Sequence, residues 1–504
     1  MSLMPVTSTA HRTLIRGAVR GAGNEAVYRE LDDGPGEPHV HIGEAERSSQ
    51  VLSRVRIGHL TDLHLADLQS PLRMDFVDAG QWAGHVPYAF RPQEMLATRA
   101  VSAAVETLNA LEPDVIVQSG DAVDNCQRNE VDSYLAALRG GEVDPLVGEP
   151  HLGPLSSEWP DARVWQPERA DNVYTSRFGF PVLPGILEAA AQRHDSAGLR
   201  SPWFAVRGNH DVLVLGTARI GDDFDAIGRG GRKPYAPDAA AAPGLASFLE
   251  GPTGIYSGSA RPIPANEARQ LLSPAAFSAA HRDGKTGAVC GHGLASSEDA
   301  EKAGRYVVDW GSRYRFIAFD TNNMRGMWDG VLARDQLAWI DDELARATRD
   351  DRLAIMVSHH GSDFLANDFR MCVEEIASPA SLIDLLLRHR CAVAWLNGHH
   401  HGNQIRLHRR ADGSGVAEIT TSSIADWPCQ VREVQVEELP HGIRITTTMH
   451  HAAIAEGPDL DSVAGLARLH HELAANQFWR GAGRPGATGE RRDRNLILTL
   501  PHPR

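Results

Sequence analysis

Val55-Arg56-Ile57-Gly58-His59-Leu60 leads straight into Thr61-Asp62-Leu63-His64, and the reading of this stretch decides the fold. A short apolar run containing β-branched residues predicts a strand, so Asp62 and His64 fall where a buried strand ends and the chain turns. Four later blocks repeat the arrangement. Val115 to Gln118 precedes Gly120-Asp121-Ala122-Val123-Asp124-Asn125, and Trp203 to Val206 precedes Gly208-Asn209-His210-Asp211. Leu353 to Val357 precedes Ser358-His359-His360-Gly361, and Ala392 to Leu396 precedes Gly398-His399-His400-His401. Imidazoles and carboxylates delivered to one sheet edge from five strands predict a site for two divalent metals, a pair suited to activating water and clamping a phosphoryl group.

Working outward, Pro92 to Leu111 carries Leu96, Val101, Ala104, Val105 and Leu108 on one stripe and predicts a helix. Strand, helix, strand at this spacing is a βαβ unit, which makes the sheet parallel there. The rhythm resumes with a strand at Arg315 to Phe319, running into Asp320-Thr321-Asn322. A helix follows over 334–348, with Leu337, Ile340, Leu344 and Ala345 inward. The next helix opens at Ser378-Pro379, Ser as N-cap and Pro at the first position. Short strands at 404–408, 417–421, 431–436 and 443–448 read as antiparallel strands closing one side. A helix over 461–477, a Gly/Pro/Arg-rich linker at 480–494 and a strand at 495–500 complete the chain.

This divides the protein into an N-terminal arm over 1–53, a main domain over 54–455, and a C-terminal helix and tail over 456–504. The arm is broken by Gly34-Pro35-Gly36-Glu37-Pro38 and has room for one hairpin. Two stretches, about 126–202 and 212–313, lack the strand-helix rhythm. Structureless loops of that length are uncommon in a compact domain, so they are expected to form small subdomains or a cap at the mouth of the site.

With 504 residues, 42% hydrophobic and 23% charged, the chain has the composition of a soluble globular protein. The formal net charge of −15 disfavours a broad surface for nucleic acid or anionic membranes. Lysine is confined to Lys233, Lys285 and Lys302, so arginine carries nearly all the positive charge. Cys126, Cys290, Cys372, Cys391 and Cys429 are odd in number and form no CxxC pair. They argue against a disulfide framework or a thiolate zinc site and read as free thiols in a reducing compartment. No apolar run reaches the roughly 18 residues of a membrane span. Met1 to Asn24 has neither the apolar region of a secretory signal nor the paired arginines of a twin-arginine leader. The expected location is the cytoplasm, with export after leader removal as the alternative.

A lone Asp-x-His or Gly-Asn-His says little. In this order, each at a strand end, the five blocks resemble the calcineurin-like metallophosphoesterase superfamily, whose pattern is DxH, GDxxD, GNH[DE], a later H and GHxH. The resemblance spans roughly 55 to 450 and takes in Phe319-Asp320-Thr321 and Gln336-Leu337-Ala338-Trp339-Ile340. Gln69-Ser70-Pro71, Asp426-Trp427-Pro428 and the long inserts are similar to a bacterial branch. The resemblance implies an α/β fold, a four-layer αββα sandwich of two mixed sheets flanked by helices, with inserted cap elements.

It further implies that Asp62, His64 and His401 hold one metal, that Asn209, His359 and His399 hold the other, and that Asp121 bridges them. Mixed nitrogen and oxygen donors without sulfur suit transition metals better than Mg or Ca, so two divalent or trivalent ions, Mn, Fe or Zn foremost, are expected. His360 is left to support the site or touch substrate, and His400 lies outside the ligand set. His210, oriented by Asp124, is implied to hydrogen-bond or protonate the leaving oxygen. Asn125 stands where the protein-phosphatase branch has an arginine, which argues against a Ser/Thr protein phosphatase. Asp124 stands where the tyrosinate-ligated branch needs a tyrosine.

The implied activity is hydrolysis of a small-molecule phosphodiester, of cyclic nucleotide or glycerophosphodiester type, by a metal-bridging hydroxide. A phosphomonoesterase is the alternative, and a metal-binding interaction scaffold without turnover is the alternative of another class. The expected partner is a small-molecule phosphate ester, with no membrane; nucleic acid is disfavoured by the acidic balance. The sequence sets no oligomeric state. Elsewhere, His292 reads as a solvated turn residue, and Arg229, Arg232 and Lys233 as a solvated loop rather than a second phosphate site. His450-His451 and His470-His471 read as surface or packing residues.

Overall fold

The structure is a computed structural model that describes residues 8–20, 26–43, 50–75, 90–161, 164–238, 245–252, 254–282, 304–365, 376–452, 455–477, 482 and 486–502. The chain begins with a hairpin, β1 (Arg12–Val19) against β2 (Arg29–Pro35), followed by β3 (Val40–Ile42). Next come β4 (Ser53–Leu60), α1 (Ala97–Leu111), β5 (Val115–Gln118), α2 (Arg128–Arg139) and β6 (Trp203–Ala205). The end of the 212–313 stretch, read as lacking the strand-helix rhythm, forms β7 (Tyr306–Trp310), and after it lie β8 (Tyr314–Ala318), α3 (Arg334–Arg349), β9 (Leu353–Val357), α4 (Pro379–Arg388) and β10 (Ala392–Asn397). The remainder is β11 (Gln404–Arg409), β12 (Gly415–Thr420), β13 (Gln430–Leu439), β14 (Gly442–His451), α5 (Val463–Asn476) and β15 (Leu496–Pro501).

These strands form two mixed sheets, ordered β3-β15-β14-β13-β4-β5-β6 and β7-β8-β9-β10-β12-β11. In the first, β4, β5 and β6 run parallel, while β13, β14 and β15 are antiparallel neighbours. In the second, β8, β9, β10 and β12 run parallel. Strands covered on both faces read as continuous apolar runs rather than alternating ones, which is why β5, β9 and β10 are buried along their whole length.

The two sheets face each other. Val55, Ile57, Val117 and Phe204 share one buried cluster with Phe316, Ile355, Val357 and Leu396 of the other sheet. Each fully buried side chain of this kind contributes roughly 1.5–3 kcal/mol. The outer face of the larger sheet is covered by α1, α2 and α5, through Val101, Leu108, Tyr134, Leu138 and Ala467. The smaller sheet is covered by α3 and α4, through Ile340, Leu344, Leu382 and Leu386. The result is the four-layer αββα sandwich that the resemblance implied.

Three details differ from the sequence reading. The strand over 415–420 is antiparallel only to β11; it returns between β11 and β10 and runs parallel to β10. On α3 the buried stripe is Gln336, Ile340, Glu343, Leu344 and Ala347, while Leu337 and Ala345 are half-buried. The shift follows from polar anchors: Gln336 donates to the Asp320 carbonyl, and Glu343 pairs with Arg346 at 3.0 Å and Arg315 at 3.5 Å. Finally, α1 is buried nearly all round rather than on one stripe, because α5 lies across it.

The stretch over 126–202 holds α2, short helices at Val173–Phe178 and Ile186–Ala191, and a ribbon of Gly141–Val143 with His194–Ser196. The stretch over 212–313 holds helices Asp222–Arg229, Leu245–Glu250 and Pro274–Ala280, and a ribbon of Arg232–Pro234 with Ala260–Pro262. The N-terminal hairpin is tied to α5, with Tyr28 fully buried and its hydroxyl donating to Glu472 at 2.7 Å. Cys126, Cys391 and Cys429 are buried free thiols. Cys290, Cys372 and His292 lie outside the described residues. No helix among the described residues is long and apolar enough to cross a membrane.

Candidate metal centre

The carboxyl ends of β4, β5 and β6 in one sheet and of β9 and β10 in the other meet at the same edge, where ligands of α/β sheets characteristically sit. Immediately past those ends lie Asp62, Asp121, Asn209, His359, His399 and His401. The backbone there is strained. Asp62, His64, Asp121, His399 and His401 all adopt positive φ, between 45° and 67°. Such conformations are uncommon for residues other than glycine, cost of order 1–3 kcal/mol each and cluster at functional sites. They turn each side chain back across the sheet edge instead of letting the strand run on. Glycine is required where loops touch: a Cβ on Gly208 would collide with Asp121, and one on Gly398 with Thr61 and Asp62.

The side chains converge. His401 Nε2 lies 3.2 Å from Asp62 Oδ1 and 3.0 Å from His64 Nε2. His359 Nε2 lies 3.2 Å from Asp121 Oδ2 and 3.1 Å from Asn209 Oδ1. Asp121 Oδ2 is also 3.7 Å from His64 Nε2, so this carboxylate stands between the two groups. The ring of His399 packs against that of His359 at 5.1 Å between centroids, and its backbone N–H donates to Asp62 Oδ2. The structure thus brings all seven expected ligand residues to one centre.

Three features fit this donor set to cations. Asp62 Oδ1 is buried and accepts no hydrogen bond among the described residues. An unsatisfied buried carboxylate oxygen is costly unless something positive completes it. His401 Nδ1 donates to Asp426 and His64 Nδ1 faces Asp124, so the neutral rings turn the lone pairs of their Nε2 atoms toward each other at 3.0 Å. The charge balance points the same way. Burial drives the His64 imidazole down to about 4 and the His399 imidazole well below its ordinary range, so neither supplies positive charge. Burial also opposes charge on His359, yet Asp121 lifts it to about 9. The proton on His359 stands where the carboxylates demand a cation.

His210 and Asp124 lie beside these groups. His210 Nδ1 is 2.6 Å from the main-chain carbonyl of Asp124, which can only accept, so Nδ1 carries the hydrogen. The Asp124 carboxylate is nearer His64 Nδ1, at 3.4 Å, than His210 Nδ1, at 3.7 Å. Asp124 therefore holds His210 chiefly through its backbone and His64 through its side chain. Burial opposes charge on Asp124, but His64 and Arg73 keep its carboxylate below the usual range.

His360 is anchored at both ring nitrogens, to Thr321 Oγ1 at 2.8 Å and to the Trp328 carbonyl at 2.9 Å. That leaves it no lone pair for a metal or a substrate, so it acts as a support. His400 is exposed and lies against Phe364. Asn125 is fully buried, its Oδ1 accepting from the Leu215 N–H and its Nδ2 donating to Gln127.

Several supporting contacts were not readable from the sequence, although Asp211 and Asp426 stand in stretches quoted above. Asp426 Oδ2 accepts from His401 Nδ1 at 2.6 Å, a carboxylate–imidazole contact that fixes the ring and makes its other nitrogen a better donor. Asp211 takes the backbone N–H groups of Gly208, Ala122 and Val123, fastening two of the motif loops together. Lys233 corrects the solvated-loop reading. It is fully buried and paired with Asp75 at 2.7 Å, because a partner and the Ser70 carbonyl satisfy it. Arg229 pairs with Asp225 and Glu267, and Arg232 is exposed. His450, His451, His470 and His471 are packing residues of α5 and β14, His450, His470 and His471 being at most 4% exposed.

No family model and no curated protein matches the chain. Among solved structures it is similar to a dimetal phosphatase from Danio rerio, with 12% identity and a TM-score of 0.38 over 79% of this chain and 96% of that one. It is also similar to a putative 5'-nucleotidase from Staphylococcus aureus, at 12% identity and a TM-score of 0.31 over 83% of this chain and 58% of that one. The NAD nucleotidase of Haemophilus influenzae gives 10% identity and a TM-score of 0.29, over 77% and 54%. Likenesses at these scores carry no activity over to this chain. What its own fold and site define is an αββα sandwich with a histidine- and aspartate-lined centre where the carboxyl edges of its two sheets meet.

Proposed function

We propose that this chain is a calcineurin-like metallophosphoesterase that hydrolyses a phosphate ester at a dinuclear metal centre. Asp62, His64 and His401 hold one ion, Asn209, His359 and His399 the other, and Asp121 both. The observation that carries the reading is the convergence of buried nitrogens and carboxylate oxygens, with Asp62 Oδ1 left without a hydrogen bond. Two such ions, Mn, Fe or Zn by the donor set, supply Lewis acidity toward a phosphoryl oxygen and a water nucleophile at neutral pH.

The protein's own residues do the rest. The Asp124 carbonyl holds the Nδ1 proton of His210, so the ring meets substrate through Nε2. In its protonated form that nitrogen donates to the leaving oxygen. Asp426 and Asp124 fix the rings of His401 and His64, so the site needs little rearrangement on binding. A small-molecule phosphodiester is the favoured substrate. The buried, fully engaged Asn125 supports this, since it places no guanidinium where a doubly charged monoester would need neutralising. Bis-aryl and mono-aryl phosphates, assayed with added Mn, test it. Faster turnover of the diester is expected. Preference for the monoester would shift the reading to a phosphomonoesterase, and no turnover of either with metal bound would leave a binding scaffold.

A further inference from the structure

We propose that Arg73 is a positioning residue for this centre and that Lys233, from the stretch over 212–313, locks it in place. The proposal rests on the metal reading and adds a residue chain behind it. Arg73 is 1% exposed. Its Nη1 donates to Asp124 Oδ2 at 3.0 Å, while the other oxygen of that carboxylate faces His64 and His210. Its Nη2 reaches Asp75 at 3.1 Å and also Glu94. A planar guanidinium can hold three carboxylates in fixed directions, which an ammonium cannot. The orientation of Asp124, and through it of His64, is thus set by a cation that stands behind that carboxylate.

The network also reaches the other side of the centre. Arg91 stands 3.6 Å from Glu94 and 3.7 Å from Asp426, the residue that holds His401.

Lys233 fixes the far end. It is 0% exposed, its Nζ lying 2.7 Å from Asp75 Oδ2 and 3.0 Å from the Ser70 carbonyl. The segment carrying Arg73 alternates. Arg73 and Asp75 join the ionic chain, whereas Leu72 and Met74 pack with Phe224, Phe248 and Tyr256 of the 212–313 stretch. The Tyr256 hydroxyl donates to the Leu72 carbonyl at 2.9 Å. That stretch therefore grips this segment through both its apolar and its charged side chains. Lys233 is one of the chain's few lysines, and burying it is costly unless it is paired, as it is here.

The test uses the full chain, stripped of metal and titrated with Mn by calorimetry, alongside kcat and KM for an aryl phosphate ester. Arg73→Met should weaken Mn binding and lower kcat by about 10–100-fold, with KM moving far less, as loss of an outer partner of a metal ligand does. Lys233→Met should give a loss toward the lower end of that range, because unpaired Asp75 then competes with Asp124 for Arg73. Adding Asp75→Asn to Lys233→Met should recover most of that loss, since both members of the outer pair are then neutral. If Arg73→Met does not fold, Arg73→Lys, which keeps the charge but lacks the fork, carries the same prediction. Wild-type Mn affinity and kcat in a folded Arg73 variant would overturn the proposal, as would a double variant no better than Lys233→Met. A wild-type protein that binds no Mn would overturn the metal reading, and this proposal with it.

Discussion

Two buried histidine clusters in this protein look alike by composition and differ in kind. One is the centre at the sheet edges. The other is Cys429 with His470 and His471, on α5 and at the start of β13, whose donor atoms also lie within reach of one another. In the second, the ring nitrogens of His471 lie 2.9 and 3.0 Å from the carbonyls of Ala467 and Cys429, and the neutral ring donates to one of them. Cys429 Sγ is 3.9 Å from His470 Nδ1, and burial pushes its thiol up, away from the thiolate a metal needs. In the first, imidazole nitrogens face one another and two buried carboxylates stand among them. What separates a site from packing is convergent donors with buried carboxylates standing among them. The number of metal-friendly residues does not separate them.

That contrast can be broken or sharpened by mutation. The largest effect is expected from Asp121→Ala, which removes the shared carboxylate. Hydrolysis should fall by roughly 10³-fold or more, with bound metal lost as measured by elemental analysis, whereas His471→Ala should leave metal content unchanged. His210→Ala should keep its metals and still lose about 10²–10³-fold in kcat, the range of a missing general acid. That loss should grow with the pKa of the leaving alcohol across a series of esters. Asp426→Asn should cost about 10–100-fold in metal affinity. An affinity equal to wild type would show that the Asp426 contact serves packing, as the contacts of His471 do.

The packing histidines make the smallest prediction per residue, and it concerns acid. Burial lowers His59 to about 3, His281 to about 4, His470 to about 3 and His471 to about 4. The unfolded chain, with histidines near 6.5, binds more protons below that pH than the folded chain does. The stability these neutral rings allow is therefore intact above about pH 6.5 and is lost as pH falls toward 3–4. Each contributes about 1.4 kcal/mol per pH unit in that window. Denaturant unfolding of metal-free protein between pH 7 and 5 checks this. His471→Leu should flatten the slope by that amount, even though it is less stable at pH 7.

Much of the centre was legible because each ligand block follows a strand whose apolar run is hard to read otherwise. Val115 to Gln118 before Asp121, and Ala392 to Leu396 before His399, place side chains at one edge whatever the rest of the chain does. The supports were not legible, because each depends on a partner distant in sequence. Lys233 read as solvated because nothing near it announces Asp75, and the alternation from Leu72 to Asp75 is too short to announce the partners of Arg73. Asp426-Trp427-Pro428 stands out in the sequence, but the contact of Asp426 with His401 exists only after β12 returns beside β10. The α3 stripe was misplaced because Gln336 and Glu343 are buried by polar anchors on neighbouring strands, which apolar periodicity cannot show.

The central claim is that these strand ends hold two metal ions around Asp121. Anomalous scattering from crystals of the Mn-loaded protein tests it most directly. The account predicts two peaks about 3.5–4 Å apart, on either side of Asp121, one beside Asp62, His64 and His401 and the other beside Asn209, His359 and His399. No peak there, or a peak at Cys429 and His470 instead, would contradict it.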